Sequence, residues 1–278
     1  MRNLLLTFIT SILFISATSQ SLPPVAQALY NEACNRDCKR VQYAIDNGVQ
    51  IMSTPDSNSF YLKWFPAGAD PSKSPLIVTL HGSSGYAFDE FFLWHKKATR
   101  HGCGIIALQW YRGPSAASPN DYFNDEIIYS YIDSALTSIG YPAGKAFLHG
   151  FSRGAARSYA IAFNDLHGGK NYFCTVLSNA GAANPGYPLY AKINTGKYGN
   201  NVFTGRHWSL YCGGLDPNAS QSGCNGMNST KKWLEDQGAT VDLFIQDAGL
   251  GHGGFHQTAA HMDSALTYYL KCFNGAIN

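Results

Sequence analysis

From residue 60 onward, short apolar runs alternate with stretches of helical period, and this alternation restricts the fold more than any other feature of the chain. Leu76 to Leu80 and Gly104 to Trp110 are almost wholly apolar, the pattern of strands covered on both faces. Phe60 to Phe65, Lys145 to His149, Phe173 to Leu177, Trp208 to Cys212 and Val241 to Gln246 read as further strands. Helical patterns cover Phe88 to Thr99, Asp125 to Ile139, Ser152 to Leu166, Thr230 to Gln237 and Gln257 to Phe273. Strands joined by helices form βαβ units, and right-handed crossovers then place helices on both faces of a mainly parallel sheet. Ligands in such α/β sheets bind beyond the carboxyl ends of the strands. Residues that carry chemistry are therefore expected just after strands. Upstream, Val25, Leu29, Val41 and Ile45 keep helical spacing, and Ser53 to Ser59 is a loop by composition. One domain is expected over residues 20–278, with a helical extension over about 20–55.

The N-terminus bears on the compartment. Arg2 is followed by an apolar run from Leu4 to Ile15 and by the small residues Ala17-Thr18-Ser19. That order is a signal peptide over residues 1–19, and its apolar stretch is too short to span a bilayer. Export makes disulfides plausible for Cys34, Cys38, Cys103, Cys174, Cys212, Cys224 and Cys272, and an odd count leaves at least one thiol unpaired within a monomer. Cys103 opens an apolar strand and reads as the buried free thiol. Cys212 and Cys224 flank a loop rich in Gly, Asn and Ser that a bridge would pin, and the remaining pairing stays open. A net charge of +2 with scattered Lys and Arg argues against a nucleic-acid partner. The small cluster Arg36 to Arg40 is explained by a solvated helix face.

Gly150-Phe151-Ser152-Arg153-Gly154 follows a predicted strand and opens a predicted helix, the setting that a nucleophile elbow requires. A serine nucleophile needs a base, and the base an orienting acid. His252 lies in Asp247-Ala248-Gly249-Leu250-Gly251-His252-Gly253-Gly254, after the last strand, where glycines let a loop carry an imidazole over the sheet edge. His256 and His261 fall toward the final helix. No glutamate follows His252 as a zinc-binding H-E-x-x-H pattern demands, so no metal site is expected. Asp216 stands on a turn past the strand Trp208 to Cys212. Asp247, the competing acid, precedes His252 by only a few residues, which makes a good bond to that imidazole harder to arrange. The oxyanion donors expected are the backbone N–H groups of Arg153, directly after the nucleophile, and of Ser83 in the turn His81-Gly82-Ser83-Ser84-Gly85. His81 is expected to be structural.

The order Ser152, Asp216, His252, each after a strand, with Leu80-His81-Gly82 after an early one, resembles the α/β-hydrolase superfamily over roughly residues 60 to 273. Within it the chain resembles secreted esterases of the feruloyl esterase and polyhydroxyalkanoate depolymerase group. The resemblance implies an α/β-hydrolase fold and ester cleavage through an acyl-enzyme on Ser152, with no cofactor, acting on a small-molecule or polymer-attached ester. Tyr86, Trp110 and Tyr111, near predicted strand ends, are candidates to line the substrate pocket. A serine peptidase or amidase with the same triad, and a non-catalytic secreted binding protein on the same scaffold, are the alternatives. The sequence is silent on oligomeric state.

Overall fold

The computed structural model describes residues 21–113 and 118–277, so the expected signal peptide lies outside the described residues. The strands are β1 (Gln50–Ser53), β2 (Phe60–Trp64), β3 (Leu76–Leu80), β4 (Gly104–Leu108), β5 (Ala146–Phe151), β6 (Phe173–Asn179), β7 (His207–Gly213) and β8 (Thr240–Asp247). The helices are α1 (Pro24–Asp46), α2 (Ala87–His101), α3 (Asp125–Ser138), α4 (Arg153–His167), α5 (Pro188–Asn194), α6 (Cys224–Asp236), α7 (Gly254–Gln257) and α8 (Ala259–Phe273).

All eight strands join one sheet in the order β1-β2-β4-β3-β5-β6-β7-β8. The β1–β2 hairpin and the β2–β4 pair are antiparallel, and every pairing from β4 through β8 is parallel. β3, β4 and β6 are buried at every position, which requires helices on both faces. On one side α2 packs against α1 and α8, and elsewhere α3 packs against α4. The strand order reverses between β4 and β5, with β3 lying between them. The β3 and β5 carboxyl ends therefore open at the switch point, where a ligand crevice forms.

A buried ion pair fixes the sheet's far half. Asp165 at the end of α4 accepts the backbone N–H groups of Tyr172 and Phe173 and lies 3.2 Å from the Arg206 guanidinium. Both side chains are buried. The carboxylate thus closes the turn into β6 and balances the charge that leads into β7.

Several boundaries depart from the sequence expectations. β1 and α5 were not expected: β1 is a short, partly exposed edge strand, and α5 is a brief helix started by proline. α6 begins at Cys224, ahead of the expected Thr230. Its first turn is rich in Asn, Gly and Ser and reads as loop. Gly226 is needed there because a Cβ would come within 2.4 Å of the Ser220 carbonyl. The final helix is split, so His256 sits on α7 and only His261 on α8.

Cys212–Cys224 forms the expected bridge, with Cα atoms 5.0 Å apart, and Cys34–Cys38 forms a second one. Cys103 is buried and free, and burial pushes its thiol up to about 12. The Arg36 to Arg40 cluster does more than face solvent. Arg36 donates to the Ser84 carbonyl and Arg40 pairs with Asp89 at 2.5 Å, which docks α1 onto α2 and onto the turn after β3.

Candidate active site

β5 runs to Phe151 and α4 starts at Arg153, so Ser152 alone makes the turn. Its backbone sits at φ 55°, ψ −115°, a conformation that costs a non-glycine residue of the order of 1–3 kcal/mol. The surroundings enforce it. A Cβ on Gly150 would stand 2.3 Å from the Gly154 carbonyl, and one on Gly154 would stand 2.3 Å from the Leu80 carbonyl. The two glycines of the motif therefore let α4 approach β5 and β3 closely enough to thrust Ser152 above the sheet.

Two loops deliver the partners. His252 lies between β8 and α7, and Asp216 between β7 and α6. The loops are laced by backbone bonds from Gly214 N to Asp247 O (2.7 Å) and from Leu215 N to Leu250 O (3.0 Å). Gly213 permits this contact, since a Cβ there would be 2.3 Å from the Gly251 carbonyl. The Cys212–Cys224 bridge closes the base of the Asp216 loop.

The result is a continuous chain of short contacts. His252 Nε2 lies 2.8 Å from Ser152 Oγ, and His252 Nδ1 lies 2.7 Å from Asp216 Oδ2. A carboxylate only accepts, so Nδ1 carries the proton and Nε2 is left to accept from the serine hydroxyl. The Asp216 side chain is sealed from solvent while His252 is about one-third exposed. Burial alone would raise the Asp216 carboxyl. Bonds from the Asn218 backbone, His252 and Ser222 outweigh it and hold the group below the ordinary carboxylate range. An ionised Asp216 fits a role in steadying an imidazolium.

The turn after β3 abuts the serine. A Cβ on Gly82 would lie 3.3 Å from Ser152 Cβ. Ser84 N donates to the Tyr122 hydroxyl at 2.9 Å, so that N–H is engaged and Ser83 stays the candidate second donor. Arg153 N, the other candidate, lies in the first turn of α4, where the helix N-terminus favours negative charge. The Arg153 side chain folds back over this turn: its Nε donates to Ser83 Oγ at 3.1 Å, and its guanidinium lies 4.4 Å from the centre of the Tyr122 ring.

The remaining sequence candidates fall elsewhere. Asp247 accepts from Gly249 N and lies 3.4 Å from His261, not against His252. His81 is buried, stacks on Trp110 and accepts from the Trp110 backbone N–H, and burial pushes it down to about 4. Trp110 is fully buried and donates to the His81 carbonyl. Tyr86 and Tyr111 are buried edge to face beside it. None of these three aromatics lines the large cleft of ≈ 650 Å³ next to Arg153, whose walls instead include Tyr122, Phe123 and Tyr187. Tyr122 carries no signal in the sequence, because it lies in a loop well downstream of the β4 end.

One grouping with metal-ligand chemistry exists among the described residues. Single ligand atoms of Glu90, His149 and His256 lie within 4.8 Å of one another. However, the Trp94 indole N–H points at His149 Nδ1 from 3.1 Å, so the lone pair a metal would use already accepts a hydrogen bond. With Nδ1 accepting, the His149 proton sits on Nε2 and faces the Asn179 amide at 3.3 Å. That favours the amide orientation with Oδ1 toward the ring, giving a partner to an oxygen otherwise buried without one. Burial pushes His149 and His256 down to about 3 and raises Glu90. Glu90, Thr79, His149 and Trp94 are joined by hydrogen bonds, while His256 Nε2 is buried without a partner.

No protein-family profile and no curated protein sequence matches the chain. Solved structures do. A Bacillus cereus carboxylesterase is 15% identical over 84% of this chain and 100% of that one, with a TM-score of 0.55. An esterase from Rhizomucor miehei is 13% identical over 92% and 98%, with a TM-score of 0.61. The chain has the α/β-hydrolase fold. An esterase of Pyrobaculum calidifontis agrees, 12% identical over 91% and 94% with a TM-score of 0.61. At these identities the likeness establishes the fold and does not single out the feruloyl esterase group.

Proposed function

We propose that this α/β-hydrolase-fold protein is a secreted serine hydrolase that cleaves carboxylic esters through an acyl-enzyme on Ser152. The observation that carries the reading is the unbroken run Ser152–His252–Asp216, at 2.8 Å and 2.7 Å. His252 Nε2 takes the hydroxyl proton as Ser152 Oγ attacks the ester carbonyl. The N–H groups of Arg153 and Ser83 receive the developing oxyanion. The protonated His252, steadied by Asp216, returns the proton to the departing alkoxide, leaving an acyl-serine. Water then attacks the acyl-serine with His252 again as base, and His252 returns that proton to Ser152 Oγ as the Oγ–acyl bond breaks and the acid leaves. No step calls on a cofactor. The esterases among the similar structures support an ester rather than an amide substrate. The N-terminal sequence and the two disulfides support export.

The test is turnover of p-nitrophenyl acetate and butyrate against the matching p-nitroanilides, in wild type and in Ser152→Ala. Ester turnover that disappears in the variant supports the reading. Anilide turnover at comparable rate would shift it to an amidase. Turnover of neither would leave a binding protein on this scaffold.

A further inference from the structure

The cleft beside Arg153, the residue after the serine, is unevenly charged, and its walls run from Arg153 along α4 without including Ser152 or His252. Four cations line it, Arg112, Arg153, Arg157 and Lys192, against two carboxylates, Asp125 and Glu126. Asp125 is already committed: it takes both its contacts from Arg157, at 3.1 and 3.2 Å. Among the described residues no carboxylate lies in ion-pair reach of Arg112, Arg153 or Lys192. The two arginines are nonetheless held in place. Arg153 is fixed by Ser83 Oγ and the Tyr122 ring, Arg112 by the Asn120 carbonyl at 3.3 Å and the Phe123 ring at 5.1 Å. Each guanidinium thus spends its Nε on a neutral acceptor and rests on an aromatic face, and among the described residues its terminal N–H groups meet no carboxylate. Such pre-organised forks match carboxylates and similar planar or tetrahedral anions.

Arg153 directly follows the nucleophile, and its side chain crosses the turn that carries Ser83. A group gripped by that guanidinium stands beside Ser83, whose Oγ is 3.1 Å from Arg153 Nε, on the turn that abuts Ser152. The geometry points to an ester substrate that carries a second, anionic group, a carboxylate on either its acyl or its alcohol part, bound by Arg112 and Arg153 with Lys192 at the outer rim. This rests on the ester-hydrolase reading for its reaction and adds the class of substrate. A volume of ≈ 650 Å³ accommodates such a molecule.

The test compares matched ester pairs. On the acyl side, p-nitrophenyl hydrogen glutarate is set against p-nitrophenyl methyl glutarate. On the alcohol side, 4-acetoxybenzoate is set against its methyl ester. Wild type is expected to prefer the anionic member of at least one pair by about tenfold in kcat/KM. The preference should shrink as salt is raised. Arg112→Gln, which lies outside the reacting machinery, should erase most of the preference and leave the neutral esters within about twofold of wild type. Arg112→Lys should restore part of it. Calorimetric binding of the same four esters to Ser152→Ala repeats the comparison without turnover, so a protein with no esterase activity still tests the wall. Equal handling of anionic and neutral members in both pairs, by both measurements, overturns the proposal. If p-nitrophenyl acetate is still hydrolysed, the ester-hydrolase reading survives that result.

Discussion

Two carboxylate–histidine pairs, one on loops past the strand ends and one in the core, differ in what surrounds them. Asp216–His252 is carried on two glycine-rich loops, and the far imidazole nitrogen meets a serine hydroxyl at the turn between β5 and α4. Glu90–His149 lies in the core, joined through Thr79 Oγ, which is 2.7 Å from the carboxylate and 2.8 Å from Nδ1. The first acid accepts several hydrogen bonds and is held below its ordinary range. The second is buried with fewer donors and is raised. The same residue types therefore give a carboxyl held below its ordinary range in one place and one raised above it by burial in the other. Catalytic potential follows from hydrogen-bond donors and an open nucleophile, not from a carboxylate and an imidazole being near each other.

The contrast breaks most sharply at the serine. Ser152→Ala should lower ester turnover by a factor on the order of 10⁴ or more while circular dichroism and melting stay near wild type. An active variant would remove the first pair from the chemistry. Next comes the acid. Asp216→Asn should lower kcat by roughly 10³–10⁴ with KM little changed, since the amide favours the imidazole tautomer that holds a proton on Nε2. Asp247→Asn should stay within a few-fold of wild type. An inverted outcome would move the acid to Asp247.

Glu90→Gln sharpens the comparison from the other side. Its kcat should stay within a few-fold of wild type, and its effect should appear in stability against pH. A carboxyl raised in the folded state adds stability that is full below its unfolded pKa of about 4.3 and is lost as pH rises through the folded value. Wild type should therefore lose stability relative to Glu90→Gln as pH climbs above about 4.3, measured as the difference between their denaturant midpoints. A difference that stays flat, or grows the other way, would mean that Glu90 is ionised in the fold. The smallest effect is expected at the bridge below Asp216. Replacing Cys212 and Cys224 by serine should cost about 2–3 kcal/mol of unfolding free energy, because the closed loop is short. Peptide mapping without reductant that finds either cysteine free in the wild type would refute the pairing.

Much of this was legible in the chain. Ser152 could be read because the elbow demands small residues at fixed offsets, and the contacts of Gly150 and Gly154 supply the reason. His252 and Asp216 could be read because loops past parallel strands gather at one edge. The Cys212–Cys224 bridge could be read because it spans one such loop. The aromatic walls of the cleft beside Arg153 could not. Tyr86, Trp110 and Tyr111 follow strands, yet Trp110 turns inward to His81, while Tyr122, which faces the cleft, is brought there by tertiary packing against Arg153. The Glu90 network was equally hidden, since it joins residues from α2, β3 and β5 that no local spacing relates. The early start of α6 was masked by a first turn of poor helix formers held by a disulfide and a close backbone contact.

The most direct test is to treat the folded protein with a fluorophosphonate and map the adduct by peptide mass spectrometry. Ser152 acting as a nucleophile activated by His252 gives a single stoichiometric adduct on the peptide containing Gly150-Phe151-Ser152-Arg153-Gly154, and that adduct is absent from His252→Ala. An adduct on another residue, or undiminished labelling of Ser152 in His252→Ala, would contradict it.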